Sequence, residues 1–270
     1  MTTIPQPKLP AAAPPKPVAS APRKFAISKA ATRKAFKLGI YGPEGIGKSS
    51  LMALCPQLSS VADIEGSQMD FDTPKVQGIE SWSDLRAWVQ SVGEGIHGID
   101  SITRAEDWAA QHVIESKKSN EGLKATDSLE DFKYGAGVTF VCDEFRKLLG
   151  DIDAAVKRGA SFVLVSHARI NRFKNPDGSD YIRYEPRLID TPKGSNMLQF
   201  VQFLDHLAFI DLDKVISKDR KVTGSGTRTI YLDTSPSRLS KCRGIPADPI
   251  PFDQGSTALW DIILPTINNK

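Results

Sequence analysis

The run Gly42-Pro43-Glu44-Gly45-Ile46-Gly47-Lys48-Ser49 constrains this chain more than any other part of it. It satisfies G-x-x-x-x-G-K-[ST]. An apolar stretch at residues 36–41 precedes it, and a helix-compatible stretch at residues 48–54, halted by Pro56, follows. Glycines let the backbone wrap closely around phosphate oxygens with successive N–H groups turned inward. Lys48 can then reach the β- and γ-phosphates, and the Ser49 hydroxyl can face Mg²⁺. A motif in that position asks for a strand, a loop and a helix in direct succession, and for ATP with Mg²⁺ as the ligand.

The sequence beyond it keeps alternating between the two periodicities. Residues 61–64 read as a second strand, and Trp82, Leu85, Trp88, Val89 and Val92 recur at helical spacing behind Ser81 or Ser83 as a cap. Residues 96–100 make a third, poor strand because His97 and Gly98 interrupt it, and residues 103–116 a polar helix. Val141, Phe145, Leu148, Leu149, Ile152 and Val156 mark a strong amphipathic helix ending at Gly159, before a buried strand at 162–165. Such alternation predicts an α/β fold with a mostly parallel sheet and helices on both faces.

Composition bounds what surrounds this core. With 270 residues and 40% hydrophobic content, the chain buries a sizeable core without staples. Its longest apolar run is five residues, 51–55, against the roughly 20 a bilayer requires, so no membrane partner is expected. Cys55, Cys142 and Cys242 form no C-x-x-C pair, which argues against a disulfide framework or a zinc site and for a reducing cytoplasm. Residues 1–24 hold seven of the 18 prolines, and residues 1–43 hold eight Lys or Arg and no acid. Residues 1–35 therefore read as a disordered basic arm, whose P-x-x-P spacings suit protein contacts. The core is expected over residues 36–246, with residues 247–270 as a C-terminal extension. Beyond residue 43, 27 basic residues face 32 acidic ones, and a body of that sign is no general glove for nucleic acid.

A phosphate-bound Mg²⁺ takes a second partner from an acidic strand end. Residues 138–144 end in Asp143-Glu144, but their apolar positions continue at helical spacing into Phe145 and Leu148 without a turn, so a helix is the better reading. Residues 96–101 are flanked by helices, and Asp100 is the favoured metal residue.

Together these residues resemble a known family. The run from Ile40 through Gly42, Lys48, Ser49 and Ser50, then Ile99-Asp100-Ser101, the helix ending Lys157-Arg158-Gly159 and the strand leading to Ser166-His167-Ala168 is similar to the phage-type, RecA-like AAA ATP-binding proteins, which include minimal RecA-like single-strand annealing proteins. The resemblance implies a RecA-like P-loop core that hydrolyses ATP, works as a homo-oligomer and acts on single-stranded DNA. By position it makes Glu65, in Val61-Ala62-Asp63-Ile64-Glu65-Gly66, the base that orients the attacking water. It makes His167 the polar sensor at the γ-phosphate, and it makes Lys241 and Arg243 the basic pair that reaches a neighbouring subunit's nucleotide. His97, His112 and His206 have no comparable context.

Residues 169–196 carry Arg169, Arg172, Lys174, Arg183, Arg187 and Lys193 with Phe173, Tyr181 and Tyr184 between them. The turn Asn175-Pro176-Asp177-Gly178 predicts a hairpin of residues 170–174 with 181–185. Cations beside aromatic faces suit a single-stranded nucleic acid groove, and the near-balanced charge equally suits a solvated hairpin. A nucleotide-gated scaffold that binds proteins is the rival function, and a small-molecule phosphotransferase a third.

Overall fold

A computed structural model describes residues 35–120, 127–175, 178–216, 222–253 and 255–268. The N-terminal arm expected over 1–35 lies outside them except for Ala35. Strand β1 (Lys37–Gly42) leads into α1 (Lys48–Ala53), then β2 (Leu58–Asp63), α2 (Trp82–Ser91), β3 (Gly95–Asp100) and α3 (Ile102–Asn120). Two short 3₁₀ turns precede α4 (Ala136–Lys157), followed by β4 (Ala160–Phe173), β5 (Tyr181–Pro186), β6 (Asp190–Thr191) and β7 (Gly194–Ser195). The chain continues through α5 (Asn196–Phe203), β8 (His206–Ile216), β9 (Val222–Tyr231), β10 (Ile250–Pro251), α6 (Ala258–Ile263) and α7 (Pro265–Asn268). No helix among the described residues is long and apolar enough to cross a membrane.

The main sheet runs β10-β9-β8-β1-β4-β3-β2, with β5 paired to β4 beyond it. Its β8-β1-β4-β3-β2 portion is wholly parallel, and β9 and β10 add antiparallel edges. This is the α/β core with a mostly parallel sheet anticipated from the alternation, with β4 intervening between the strand before the glycine loop and the strand ending in Asp100. Because side chains alternate across a strand, β1 buries Leu38 and Ile40 on one face and Tyr41 on the other. The first face packs against Leu51 and Met52 of α1 and Trp260 of α6, the second against Leu85, Ala105, Phe145 and Phe200 of α2 to α5.

The interruptions in β3 have tertiary causes. His97 accepts from the Ser60 hydroxyl at 2.8 Å and hydrogen-bonds Gly93 O at 3.2 Å, while burial pushes its pKa down, so the ring sits in the sheet with both nitrogens partnered. A Cβ on Gly98 would stand 2.5 Å from Met52 Sδ, so the missing side chain lets α1 lie against the sheet. Ser81 is the cap of α2, accepting from Asp84 N at 3.2 Å. Asp143 lies on α4, exposed and paired to Arg146 at 2.6 Å, as the helical spacing required.

One expectation is revised. The strand expected at 162–165 is 14 residues long in β4, because its outer half finds a partner in β5, Ile170 opposite Tyr184 and Phe173 opposite Tyr181. The C-terminal extension expected after residue 246 packs onto the core. β10 pairs with β9, and Phe252, Leu259, Trp260 and Ile263 are buried in the α1-side core, with Trp260 Nε1 donating to Leu51 O at 3.0 Å. Apolar residues spaced through a short tail carry no periodic signal long enough to announce that role.

Candidate nucleotide site

The parallel strands end together at one edge of the sheet, where an open α/β sheet places its ligand. Gly42 ends β1 opposite His167 of β4, and Asp63 ends β2 opposite Asp100 of β3. The Asp100–Ser101 peptide is cis. Here a cleft of about 350 Å³ is lined by Lys48, Ser49, Glu65, Ser67, Asp100 and His167, with Glu44, Gly45, Gly47 and Ser50 along the loop. Pro43 contributes a carbonyl, and Ile46 anchors the loop by burying its side chain in the α1-side core.

Gly47 adopts a φ of +103, which glycine alone takes without strain, and a Cβ there would meet Arg228 Nη1 at 2.9 Å and the Phe252 ring at 3.1 Å. The loop is thus confined from outside by β9 and the segment after β10. On its inner side Lys48 is 7% exposed and donates from Nζ to Gly42 O at 3.1 Å and Pro43 O at 2.8 Å. Burial pushes the Lys48 pKa down, and the nearby Asp100, Glu65 and Glu44 charges partly restore it. An ammonium held in this way against the glycine loop suits the oxygens of a polyphosphate. Hard oxygen donors on Ser49 and Asp100 suit a magnesium ion beside it. The residues present therefore fit both groups.

Asp100 is 1% exposed and accepts through Oδ2 from the Ser67 hydroxyl at 2.7 Å and from Gln68 Nε2 at 2.8 Å. Glu65 accepts from the Ser101 hydroxyl at the start of α3, and His167 Nε2 lies 3.1 Å from each of its oxygens. Burial raises the Glu65 pKa, but the hydrogen bonds from His167 and Ser101 and the Lys48 charge outweigh it and hold the carboxyl below its usual range. A carboxylate so held is ionised and faces the same cleft as Lys48, the placement a base for water requires.

Sequence reasoning missed the loop that follows Glu65. Asp63 accepts from the backbone N–H groups of Ser67 and Gln68 at 2.9 and 3.1 Å, and Gln68, fully buried, also donates to Ser49 O at 3.2 Å. No motif announces these residues, since their role exists only once β2, β3 and α1 have met.

Lys241 and Arg243 stand away from the cleft. Lys241 pairs with Leu207 at the amino end of β8, and its ammonium donates to Val201 O at 2.8 Å and Leu204 O at 2.6 Å, closing the end of α5. Burial lowers its pKa. The carbonyls of Val201 and Gln202 in α5 and of Leu204 just beyond it thus hold the Lys241 ammonium within its own chain. Arg243 remains exposed, 3.8 Å from Asp205.

The β4–β5 hairpin is present, but its charges are largely spent within it. Arg169 pairs with Glu185 at 3.3 Å and Asp190 at 2.8 Å, Arg183 with Glu185 at 2.6 Å, and Arg172 with Asp180 at 3.4 Å. Phe173 and Tyr181 stack on each other at 5.5 Å, and Arg183 covers Phe173 at 4.0 Å.

A family model described as an AAA domain matches residues 34–243. Among solved structures, the KaiC-like protein PH0186 of the hyperthermophilic archaeon Pyrococcus horikoshii OT3 matches with a TM-score of 0.41 and 11% identity, over 81% of this chain and 85% of that one. Comparison with curated proteins gives no match. The family match covers well over half of the chain and takes in the glycine loop, Glu65, Asp100 and His167, so this chain belongs to the AAA domain family.

Proposed function

We propose that this protein is a Mg²⁺-dependent ATPase that couples hydrolysis to single-stranded DNA, in phage-type recombination or annealing. The observation that carries the ATPase reading is convergence: Lys48, Ser49, Glu65, Asp100 and His167, from four separate stretches of chain, line one cleft. Lys48 and the loop N–H groups bind the phosphates, Ser49 and Asp100 hold the cation, and Glu65 takes a proton from water. A magnesium ion held by Ser49 and Asp100 would supply positive charge beside the phosphate oxygens, where negative charge develops. Three free cysteines, two of them buried, suit a reducing cytoplasm.

The DNA reading rests on continuity. β4 begins in the core, passes His167 at Glu65 and runs on as one strand into the hairpin, where Lys174 and Arg187 are exposed. A specific observation also favours the rival protein partner: Ile170 and Ile182 are 63% and 60% exposed on the hairpin, and Arg169, Arg172 and Arg183 are paired. Phosphate release measured with Mg²⁺, with and without single-stranded DNA, and DNA binding as a function of salt test both halves. ATPase activity together with DNA affinity that falls as salt rises supports the full reading. Activity without any DNA affinity at low salt transfers the hairpin to a protein partner, and no Mg²⁺-dependent hydrolysis discards the enzyme.

A further inference from the structure

Between the two groups expected to face the cation stands a third oxygen. The Ser67 hydroxyl is 3.2 Å from the Ser49 hydroxyl and 2.7 Å from Asp100 Oδ2, so one side chain touches both, and it lines the same cleft. Ser67 is exposed, unlike its neighbour Gln68, and its hydroxyl has rotational freedom that a packed side chain would lack.

We propose that Ser67 is a further metal ligand of this site, its hydroxyl oxygen binding the cation alongside Ser49 and Asp100, and that Gln68 is the positioning residue that holds Asp100 toward it. The proposal rests on the Mg²⁺–ATP reading above. Its chemistry is that of a hard cation, which takes oxygen ligands and is bound by a few protein groups in company with phosphate and water.

The surrounding bonds explain why the hydroxyl stands there. Asp63 uses both carboxylate oxygens on the N–H groups of residues 67 and 68, which fixes the backbone of the loop against the end of β2. The Gln68 amide is buried between Asp100 Oδ2 and Ser49 O and accepts from Thr73 Oγ1 at 3.5 Å, so the carboxylate and the start of α1 are tied to one group. Asp100 then cannot turn without breaking that bond. Groups one bond removed from a metal commonly set its affinity through such orientation.

The test is binding of a fluorescent ADP analogue to the full chain while Mg²⁺, Mn²⁺ or Cd²⁺ is titrated, a readout independent of turnover. Ser67→Ala should raise the Mg²⁺ concentration for half-maximal response by roughly tenfold or more while leaving affinity in chelator unchanged. Ser67→Cys should lose the Mg²⁺ response and recover it with Cd²⁺, because a thiolate prefers the softer ion. Ser49→Cys serves as the reference for such a switch, and the unsubstituted chain controls for Cys55, Cys142 and Cys242. Gln68→Met should weaken the Mg²⁺ response by roughly tenfold and Gln68→Glu by more, since a second carboxylate would face Asp100.

A Ser67→Ala response equal to that of the unsubstituted chain overturns the proposal, as does a Ser67→Cys chain without a Cd²⁺ preference when Ser49→Cys has one. If the unsubstituted chain binds the analogue without regard to Mg²⁺, the Mg²⁺–ATP reading itself falls, a different result from failure of Ser67 alone. A Gln68 variant with an ordinary metal response but a lowered melting temperature assigns that residue to packing only.

Discussion

His167 Nε2 lies 3.1 Å from both oxygens of the Glu65 carboxylate, while His167 Nδ1 is buried without a hydrogen-bond partner. A carboxylate only accepts, so Nε2 carries the hydrogen and the imidazole is attached to the cleft through that one edge. The residue expected to contact the γ-phosphate therefore contacts the expected base.

Glu65→Gln should bind ATP with near-normal affinity and hydrolyse it about 100-fold or more slowly, since the amide keeps the shape and loses the base. Single-turnover hydrolysis against nucleotide binding separates the two effects. Unchanged turnover removes Glu65 from the chemistry.

The His167 bond also has a sign in pH. It lowers the Glu65 pKa, so His167→Ala should move the acid limb of turnover upward, toward the range of an ordinary carboxylate. A pH–rate profile whose acid limb stays in place would show that the pair is not coupled during turnover.

Lys48→Ala should weaken nucleotide binding by roughly 10- to 100-fold, the worth of a lost charge-assisted bond, with the fold retained. Asp100→Asn should impair Mg²⁺-dependent hydrolysis far more than Asp143→Asn, because Asp100 lines the cleft and Asp143 sits exposed on α4 beside Arg146. Calorimetric nucleotide binding and phosphate release check both, and the reverse ranking of the two aspartates would contradict the geometry.

Glu106 of α3 supplies a stability prediction. Burial pushes its carboxyl up to about 7, although Ile189 N and Asn196 Nδ2 donate to it. A carboxyl raised in the folded state costs nothing below its unfolded value and destabilises progressively as pH rises toward 7. Its cost reaches on the order of 3 kcal/mol above that. Glu106→Gln should therefore gain stability relative to the parent chain between about pH 4.5 and 7. Melting temperatures of the pair across that window check the trend, and a constant difference would remove Glu106 as its source.

What was legible in the sequence was whatever a local pattern carries. The glycine loop announced β1 and α1, and the continuous helical spacing through Phe145 and Leu148 separated Asp143 from Asp100 correctly. What stayed hidden depends on elements meeting. His97 looked wrong for a strand until Ser60 and Gly93 took its nitrogens, and Gly98 until Met52 filled its place. Ser67 and Gln68 carried no signal, and the spacing of Lys241 and Arg243 gave no hint that α5 would claim the lysine.

The bond from Trp260 Nε1 to Leu51 O spans 209 positions of the chain, and Phe252 closes on Gly47 from the same side. A ribosome releases the glycine loop early, yet the wall that confines it is translated some two hundred residues afterwards. Contacts so distant in sequence form late and slowly. A nascent chain thus carries its phosphate loop long before it owns a finished one, and competence to hold nucleotide is deferred until the rest of the sheet and α6 have been made.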